Sequence, residues 1–441
     1  MNMRSTVFVC AMLLVVAAAA QDRSSTLTAV GAELVQYVQR AEPDFAWSLV
    51  DKTKFKSSSV SQLKLISQKW QGIVWQHDLV IFEPAELIHP EHLLLFITGG
   101  SNDKPPRQEE MAMGASMAAL CGARVAVLHQ VPNQPLLGDR YEDDLITETW
   151  LRYLDTGDTS WPLLFPMVKS VVKAMDALEA FGASENWKPI KGFVTAGASK
   201  RGWTSWLTPA ADKRVIATAP MVIDMLKFSS QIRHQYEMWG QPSEQIHDYT
   251  SKNLISKDGV PRSDREAKLW EMMDPYVYRD RVLIPKLLIV GANDPYWATD
   301  AMNQYWDDLA GQKSIYRGAN AGHGLEGKRE AALSTLGVFF RHAVSGKPMP
   351  VLVWKPLNNG DSIGLEVSCE QDPNAVRFWV AKSDSMDFRQ SLWRETSLPK
   401  TNGQWTFSQP IEAGEHVAVF AEFVFEYEGL PFMLSTLAYC R

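Results

Sequence analysis

The chain has 441 residues, 46% of them apolar and 22% charged, with 27 Gly and 24 Pro, a balance that excludes a disordered polymer, a collagen-like fibre and a long coiled coil. A formal net charge of −7 excludes the broad basic footprint that nucleic acid requires, so no nucleic-acid partner is expected. At about 150 residues per domain the length predicts two or three domains.

Met1 to Ala20 reads as a signal peptide: Arg4 supplies the positive start, Val7 to Ala20 the apolar run, and Ala18-Ala19-Ala20 the small residues before a cut at Gln21. The run is too short to span a bilayer, and no other stretch approaches the length needed. The expectation is an exported protein, secreted or periplasmic, with no membrane span after removal of the signal. Three cysteines then remain, Cys121, Cys369 and Cys440. In an oxidising compartment an odd count predicts one disulfide and one free thiol. Cys369 and Cys440, both in strand-like text near the end, are the expected pair. Cys121 ends a helix of small residues and is the expected buried thiol.

From Gly72 the chain alternates apolar strands with amphipathic helices. After an opening hairpin strand at Gly72–Phe82, continuous apolar runs stand at 92–98, 124–129, 190–196, 215–223, 286–290 and 314–317. Runs without polar alternation predict strands buried on both faces of a mostly parallel sheet. The periodic segments 169–181 and 330–343 predict helices packed on it. The fold class is therefore α/β: a doubly wound, mostly parallel sheet over 21–347. Helical insertions at about 132–166 and 228–281 are placed above the carboxyl ends of the strands. After Pro348, short alternating strands separated by Asn-Gly and Pro turns predict an antiparallel β-sandwich over 348–441.

One constellation carries chemistry. Thr195-Ala-Gly197-Ala-Ser199-Lys-Arg-Gly202-Trp203 places a serine at a strand-to-helix turn with glycine two residues before it, the arrangement of a nucleophile elbow. The usual second glycine stands at +2; here +2 is Arg201 and the glycine falls at +3. Two later strands end in Gly291-Ala-Asn-Asp294 and Gly318-Ala-Asn-Ala-Gly-His323, giving the Ser, Asp, His order of an α/β-hydrolase. In that reading His323 takes the proton of Ser199 and Asp294 orients the imidazole. Asp224, after the fourth parallel strand, is a rival acid, and His129 ends a strand where it lines the same edge. Gly100, after the first apolar strand, and the N–H of Lys200 are the candidate oxyanion donors. Lys200 and Arg201 are candidate partners for a substrate carboxylate, with exposure to solvent or a salt bridge to the acidic insertion Glu142 to Asp144 as the alternatives. Trp203, Trp239, Trp270 and Trp297 are candidates to wall the cleft. No metal site and no cofactor are predicted.

The words Gly197-Ala-Ser199-Lys-Arg201-Gly-Trp203, Pro220-Met-Val-Ile-Asp224 and Gly291-Ala-Asn-Asp294 resemble the PhoPQ-activated pathogenicity-related protein family, which includes an autocrine proliferation repressor. The resemblance runs from about Tyr37 through the terminal β-domain, nearly all of the chain after the signal segment. It implies an α/β-hydrolase fold, an exported protein and Ser199 at the position of the family's predicted nucleophile, which accounts for the missing +2 glycine. Some members look like extracellular signals with a likeness to dipeptidyl peptidases. Two functions are thus expected. One is a secreted serine hydrolase acting on a small-molecule ester or a peptide through an acyl-enzyme. The other is an extracellular signalling or binding protein on a hydrolase scaffold, with a cell-surface partner.

Overall fold

The computed structural model describes residues 31–102, 104–399 and 403–441. The expected signal segment, Met1 to Ala20, lies outside them. Among the described residues no helix is long and apolar enough to cross a membrane.

Nine strands form the main sheet: β1 (Ala46–Phe55), β2 (Ser58–Trp70), β3 (Ile73–Glu83), β4 (His92–Ile97), β5 (Arg124–Leu128), β6 (Gly192–Ala198), β7 (Val215–Met221), β8 (Lys286–Gly291) and β9 (Lys313–Gly318). Their order is β1-β2-β3-β5-β4-β6-β7-β8-β9. The first three are antiparallel, and every pair from β5 to β9 is parallel. The sequence pattern had implied only one opening strand, yet β1 and β2 precede it. β2 sends Leu63 and Leu65 into one core and Val60 into the other, and its register shifts between Ile66 and Gln68. That irregularity breaks the period-2 signal, and β1 is almost wholly exposed, so neither reads as a buried run.

Alternate residues of the central strands feed two cores. Leu93, Leu95, Ile97, Ala126 and Leu128 point to one face, while Leu94, Phe96, Val125 and Val127 point to the other. The first face is covered by α4 (Leu164–Ser184) and α5 (Lys200–Ala211), through Val168, Val171, Met175, Trp206 and Leu207. The second is covered by α2 (Gln108–Cys121) and α9 (Arg329–Val344). Those two helices meet where Gly337 faces Leu120; a Cβ there would lie 2.7 Å from Leu120 Cβ. Both faces being buried, β4 and β5 carry unbroken apolar runs, Leu93 to Ile97 and Val125 to Leu128. The helix α1 (Ala32–Gln39) covers the α4 side. The result is an α/β-hydrolase fold, in which ligands bind where the parallel strands end.

The remaining helices, α3 (Glu142–Thr156), α6 (Phe228–Trp239), α7 (His247–Ser251) and α8 (Asp264–Met273), come from the two insertions. Asp274 anchors the second one: its buried carboxylate accepts the backbone N–H groups of Lys227, Phe228 and Tyr276, fixing the start of α6 against the turn after α8.

Beyond α9 lie two antiparallel sheets. One is β10 (Leu352–Asn358), β11 (Ser362–Cys369) and β14 (Gln404–Pro410). The other is β12 (Ala375–Ser383), β13 (Arg394–Leu398), β15 (His416–Tyr427) and β16 (Leu430–Ser435), with β17 (Tyr439–Cys440) paired to β15. They pack face to face, Phe378 on Phe407 at 4.9 Å and Trp405 on Phe423 at 5.6 Å between ring centroids. They share a core with α9, and the N–H groups of Met433 and Arg317 donate to Thr335 and Ser435 across the junction.

The expected Cys369–Cys440 disulfide is not formed; both are free thiols. Cys369 ends β11 opposite Leu352, inside the core between the two sheets. Cys440 lies opposite Ala418, at the far edge of the other sheet. The two strands belong to different sheets, a placement that strand-like text near the end of the chain does not reveal. Cys121 is buried on α2 as expected, and its burial pushes the thiol far above the ordinary range.

Candidate active site

Ser199 caps α5 with φ 57° and ψ −124°, a conformation costly for any residue with a Cβ. Two glycines make it possible. A Cβ on Gly197 would stand 2.7 Å from the carbonyl oxygen of Arg201, and one on Gly202 would stand 2.8 Å from that of Met221. The close approach thus falls at +3, against β7, which explains why +2 tolerates arginine. The backbone of Ser199 donates to Met221 O at 2.8 Å, but its hydroxyl makes no capping bond. The strained turn leaves the Oγ free at the positive end of a helix.

The loops after β8 and β9 are laced together. Ala292 and Asn293 donate to Gly318 O and Ala321 O, both at 2.9 Å, and a Cβ on Gly291 would collide with the carbonyl oxygens of Ala321 and Gly322. Within this crossing His323 Nδ1 lies 2.8 Å from Asp294 Oδ2. Asp294 Oδ1 accepts the Tyr296 N–H at 2.9 Å, and the Asp294 side chain is only 4% exposed. With Nδ1–H donated to a buried carboxylate, Nε2 carries the free lone pair. The rival Asp224 is bound by the Tyr305 hydroxyl at 2.6 Å and makes no hydrogen bond to His323. His129 is buried beside Gly100 in a neighbouring cavity and does not join the constellation.

Ser199 and His323 share a neighbour. The ring of Tyr296 lies against the His323 imidazole, centroids 4.3 Å apart and planes tilted by 33°, and Tyr296 and Ser199 line one cavity. No direct hydrogen bond joins Ser199 to His323 among the described residues. The cavity holds about 810 Å³ out through its open mouth, and its walls include Trp150, Trp203, Phe228, Trp270 and Trp297. Trp203, Trp270 and Trp297 take their expected places. Trp239 does not: it lies under the Arg389 guanidinium, 4.1 Å from the ring centroid. Trp150, on α3, replaces it.

Of the candidate polar residues, Lys200 and Arg201 take the salt-bridge alternative, while Gly100 lies away from its expected place. Arg201 forms a fork on Glu142, both bonds at 2.7 Å, and also donates to Val131 O. Lys200 Nζ pairs with Asp143 at 2.9 Å and reaches Glu142 at 3.5 Å. Both cations are therefore held by the acidic start of α3 and are not free for a substrate carboxylate. Gly100 lines the second cavity with Gln130 and Gln134 instead of the Ser199 cavity, and its carbonyl accepts from the Gln134 side chain. Burial alone would raise the Glu142 carboxyl, but the Arg201 guanidinium and then Lys200 hold it down at about 2.

Two residues escaped the sequence reading. Asn293 donates its side-chain amide to the carbonyls of Phe388, Arg389 and Ser391, the last at 2.8 Å. Asn320 exchanges two bonds with the Trp393 backbone, at 2.8 and 2.9 Å. One loop of the terminal sheets thus clips both the acid loop and the histidine loop. The available signal was the repeated triplet Gly-Ala-Asn at 291–293 and 318–320. Asn320 also sits at φ 60°, which asparagine tolerates. Asn293→Ala is expected to loosen Asp294 and to lower kcat of any reaction that runs through the His323–Asp294 pair about tenfold to 100-fold, with KM little changed. Steady-state kinetics on the purified variant measure both, and an unaltered kcat would remove the clip from the site.

The PhoPQ-activated pathogenicity-related protein family matches residues 34–389. The chain belongs to that family. The autocrine proliferation repressor protein A of Dictyostelium discoideum is 30% identical over 378 residues, 81% of this chain and 76% of that one. Among solved structures, an acetyl xylan esterase from Paenibacillus sp. R4 is 14% identical with a TM-score of 0.49, covering 70% of this chain and 92% of its own. The acetyl xylan esterase 1 of Thermoanaerobacterium sp. JW/SL YS485 is 15% identical with a TM-score of 0.48, covering 71% of this chain and 93% of its own.

Proposed function

We propose that this family member is an exported serine hydrolase of esterase or peptidase type, working through Ser199, His323 and Asp294. The observation that carries the reading is the His323–Asp294 hydrogen bond in a crossing of two loops, beside a strained serine with an uncommitted hydroxyl. His323 Nε2 takes the Ser199 proton as Oγ bonds to the carbonyl carbon, then passes it to the leaving alcohol or amine. Water attacks the acyl-enzyme by the same route and releases the acid. The N–H of Lys200, first in α5, is the oxyanion donor this reading uses; the helix end favours the developing negative charge.

A fluorophosphonate probe tests it. The intact protein is expected to gain one phosphonyl group on Ser199, located by peptide mass spectrometry, and Ser199→Ala is expected to gain none. Labelling that persists in Ser199→Ala, or never occurs in the native chain, defeats the proposal. A second reading, an extracellular signalling protein on this scaffold, draws on the proliferation repressor relative. It is favoured if Ser199→Ala retains the native protein's effect on cell proliferation.

A further inference from the structure

We propose that the aromatic cavity beside Ser199 is an acyl pocket for uncharged apolar acids, so that medium-chain acyl esters are preferred over acetyl esters and over esters of charged acids. This rests on the serine-hydrolase reading above. The cavity is built by the two insertions: Trp150 comes from α3, and Phe228, Ile232, Tyr249, Leu254 and Trp270 come from the segment after β7. Trp150, Trp203, Tyr249, Leu254 and Trp270 are buried, forming a deep apolar end, while Ile232 is half-buried. Edge-on packing of Trp150 with Trp203 and Tyr249, at 6.1 and 5.3 Å, holds that end rigid.

Asp143, Lys200, Gln231 and Gln235, which line the cavity, are bound to protein partners. Asp143 is taken by Lys200 and by the Tyr249 hydroxyl at 3.1 Å. Gln231 donates to Ala301 O, and Gln235 donates to Tyr296 O while accepting from the Ser243 N–H. The indole nitrogens of Trp150 and Trp297 are buried without a protein partner and carry no charge that could receive a carboxylate. A carboxylate entering here would lose its hydration and meet no free cation, because Lys200 and Arg201 are neutralised by Asp143 and Glu142. An alkyl chain instead leaves water for a surface shaped by aromatic rings.

At about fourfold per buried methylene, the four extra methylenes of a hexanoyl ester should raise kcat/KM over the acetyl ester by about 250-fold. The full-length protein is assayed on 4-nitrophenyl acetate, hexanoate and monosuccinate. Hexanoate is expected to lead, and monosuccinate to fall below it by at least about 100-fold. Ile232→Trp, which narrows the cavity, is expected to reduce the hexanoate-to-acetate ratio at least about tenfold. If Ser199 takes the fluorophosphonate label and yet acetate is turned over as well as hexanoate, the acyl pocket is overturned and the hydrolase stands. Binding is read separately in Ser199→Ala, through quenching of the cavity indoles by methyl hexanoate. Saturable quenching, with methyl acetate about 250-fold weaker, supports the pocket. Equal binding of the two esters overturns it whatever the serine does.

Discussion

Asp294→Asn is expected to lower kcat on an activated ester by about 10⁴-fold while the protein stays folded. The His323 imidazole is held by one short bond, Nδ1 to Asp294 Oδ2 at 2.8 Å. An amide at 294 can present its N–H to that nitrogen, which reverses the tautomer and turns Nε2 into a donor. The base would then have no lone pair for the Ser199 proton. The imidazolium formed during attack would also lose a buried counter-charge, since the Asp294 side chain is 4% exposed. The matched control is Asp224→Asn. Asp224 is the more deeply buried acid, and burial raises its carboxyl to about 6, but it is bonded to Tyr305 and not to His323. Its replacement is expected to change kcat less than about tenfold. Single-turnover kinetics with both variants, folding checked by circular dichroism, separate the two acids. Equal losses at the two positions would refute the assignment.

Glu142→Ala is expected to cost about 2–3 kcal/mol of stability. Removing one partner of a buried ion pair typically costs about 3–5 kcal/mol; the Glu142 side chain is 39% exposed, so solvent screens part of that effect. What remains unpaired is the Arg201 guanidinium, whose side chain is 10% exposed and which lies against Gly99 and Val131 O. Lys200 keeps Asp143. The pH dependence has a definite sign. The folded carboxyl is held at about 2, below its ordinary value near 4.5, so its stabilisation is complete above pH 4.5 and fades as pH falls towards 2. The stability gap between native protein and variant should therefore narrow over that window, as followed by denaturant titration at fixed pH steps. A gap under about 0.5 kcal/mol at neutral pH, or one that widens on acidification, would show that the fork carries little stability.

Much of this site was legible in one dimension because its parts are local. A strand ending in Gly197-Ala-Ser199 and a helix starting at Lys200 specify a strained turn from adjacent residues alone. The continuous apolar strands announced a sheet covered on both sides, and Leu93 to Ile97 divide between the two cores as such a run must. β1 and β2 were missed because an exposed edge and a register shift erase periodicity.

The amino-acid sequence by itself determined the α/β class, the family and the chain order of Ser199, Asp294 and His323, because those rest on short words and on the hydrophobic period. Only the tertiary structure decided which acid meets His323, since Asp224 and Asp294 both follow parallel strands and the choice depends on how the β8 and β9 loops cross. It also directed Lys200 and Arg201 to Asp143 and Glu142, set Trp239 outside the cavity, and left Cys369 and Cys440 on different sheets. Each of these depends on contacts between residues tens of positions apart, made by packing after the local elements have formed, and no pattern within a single element encodes them.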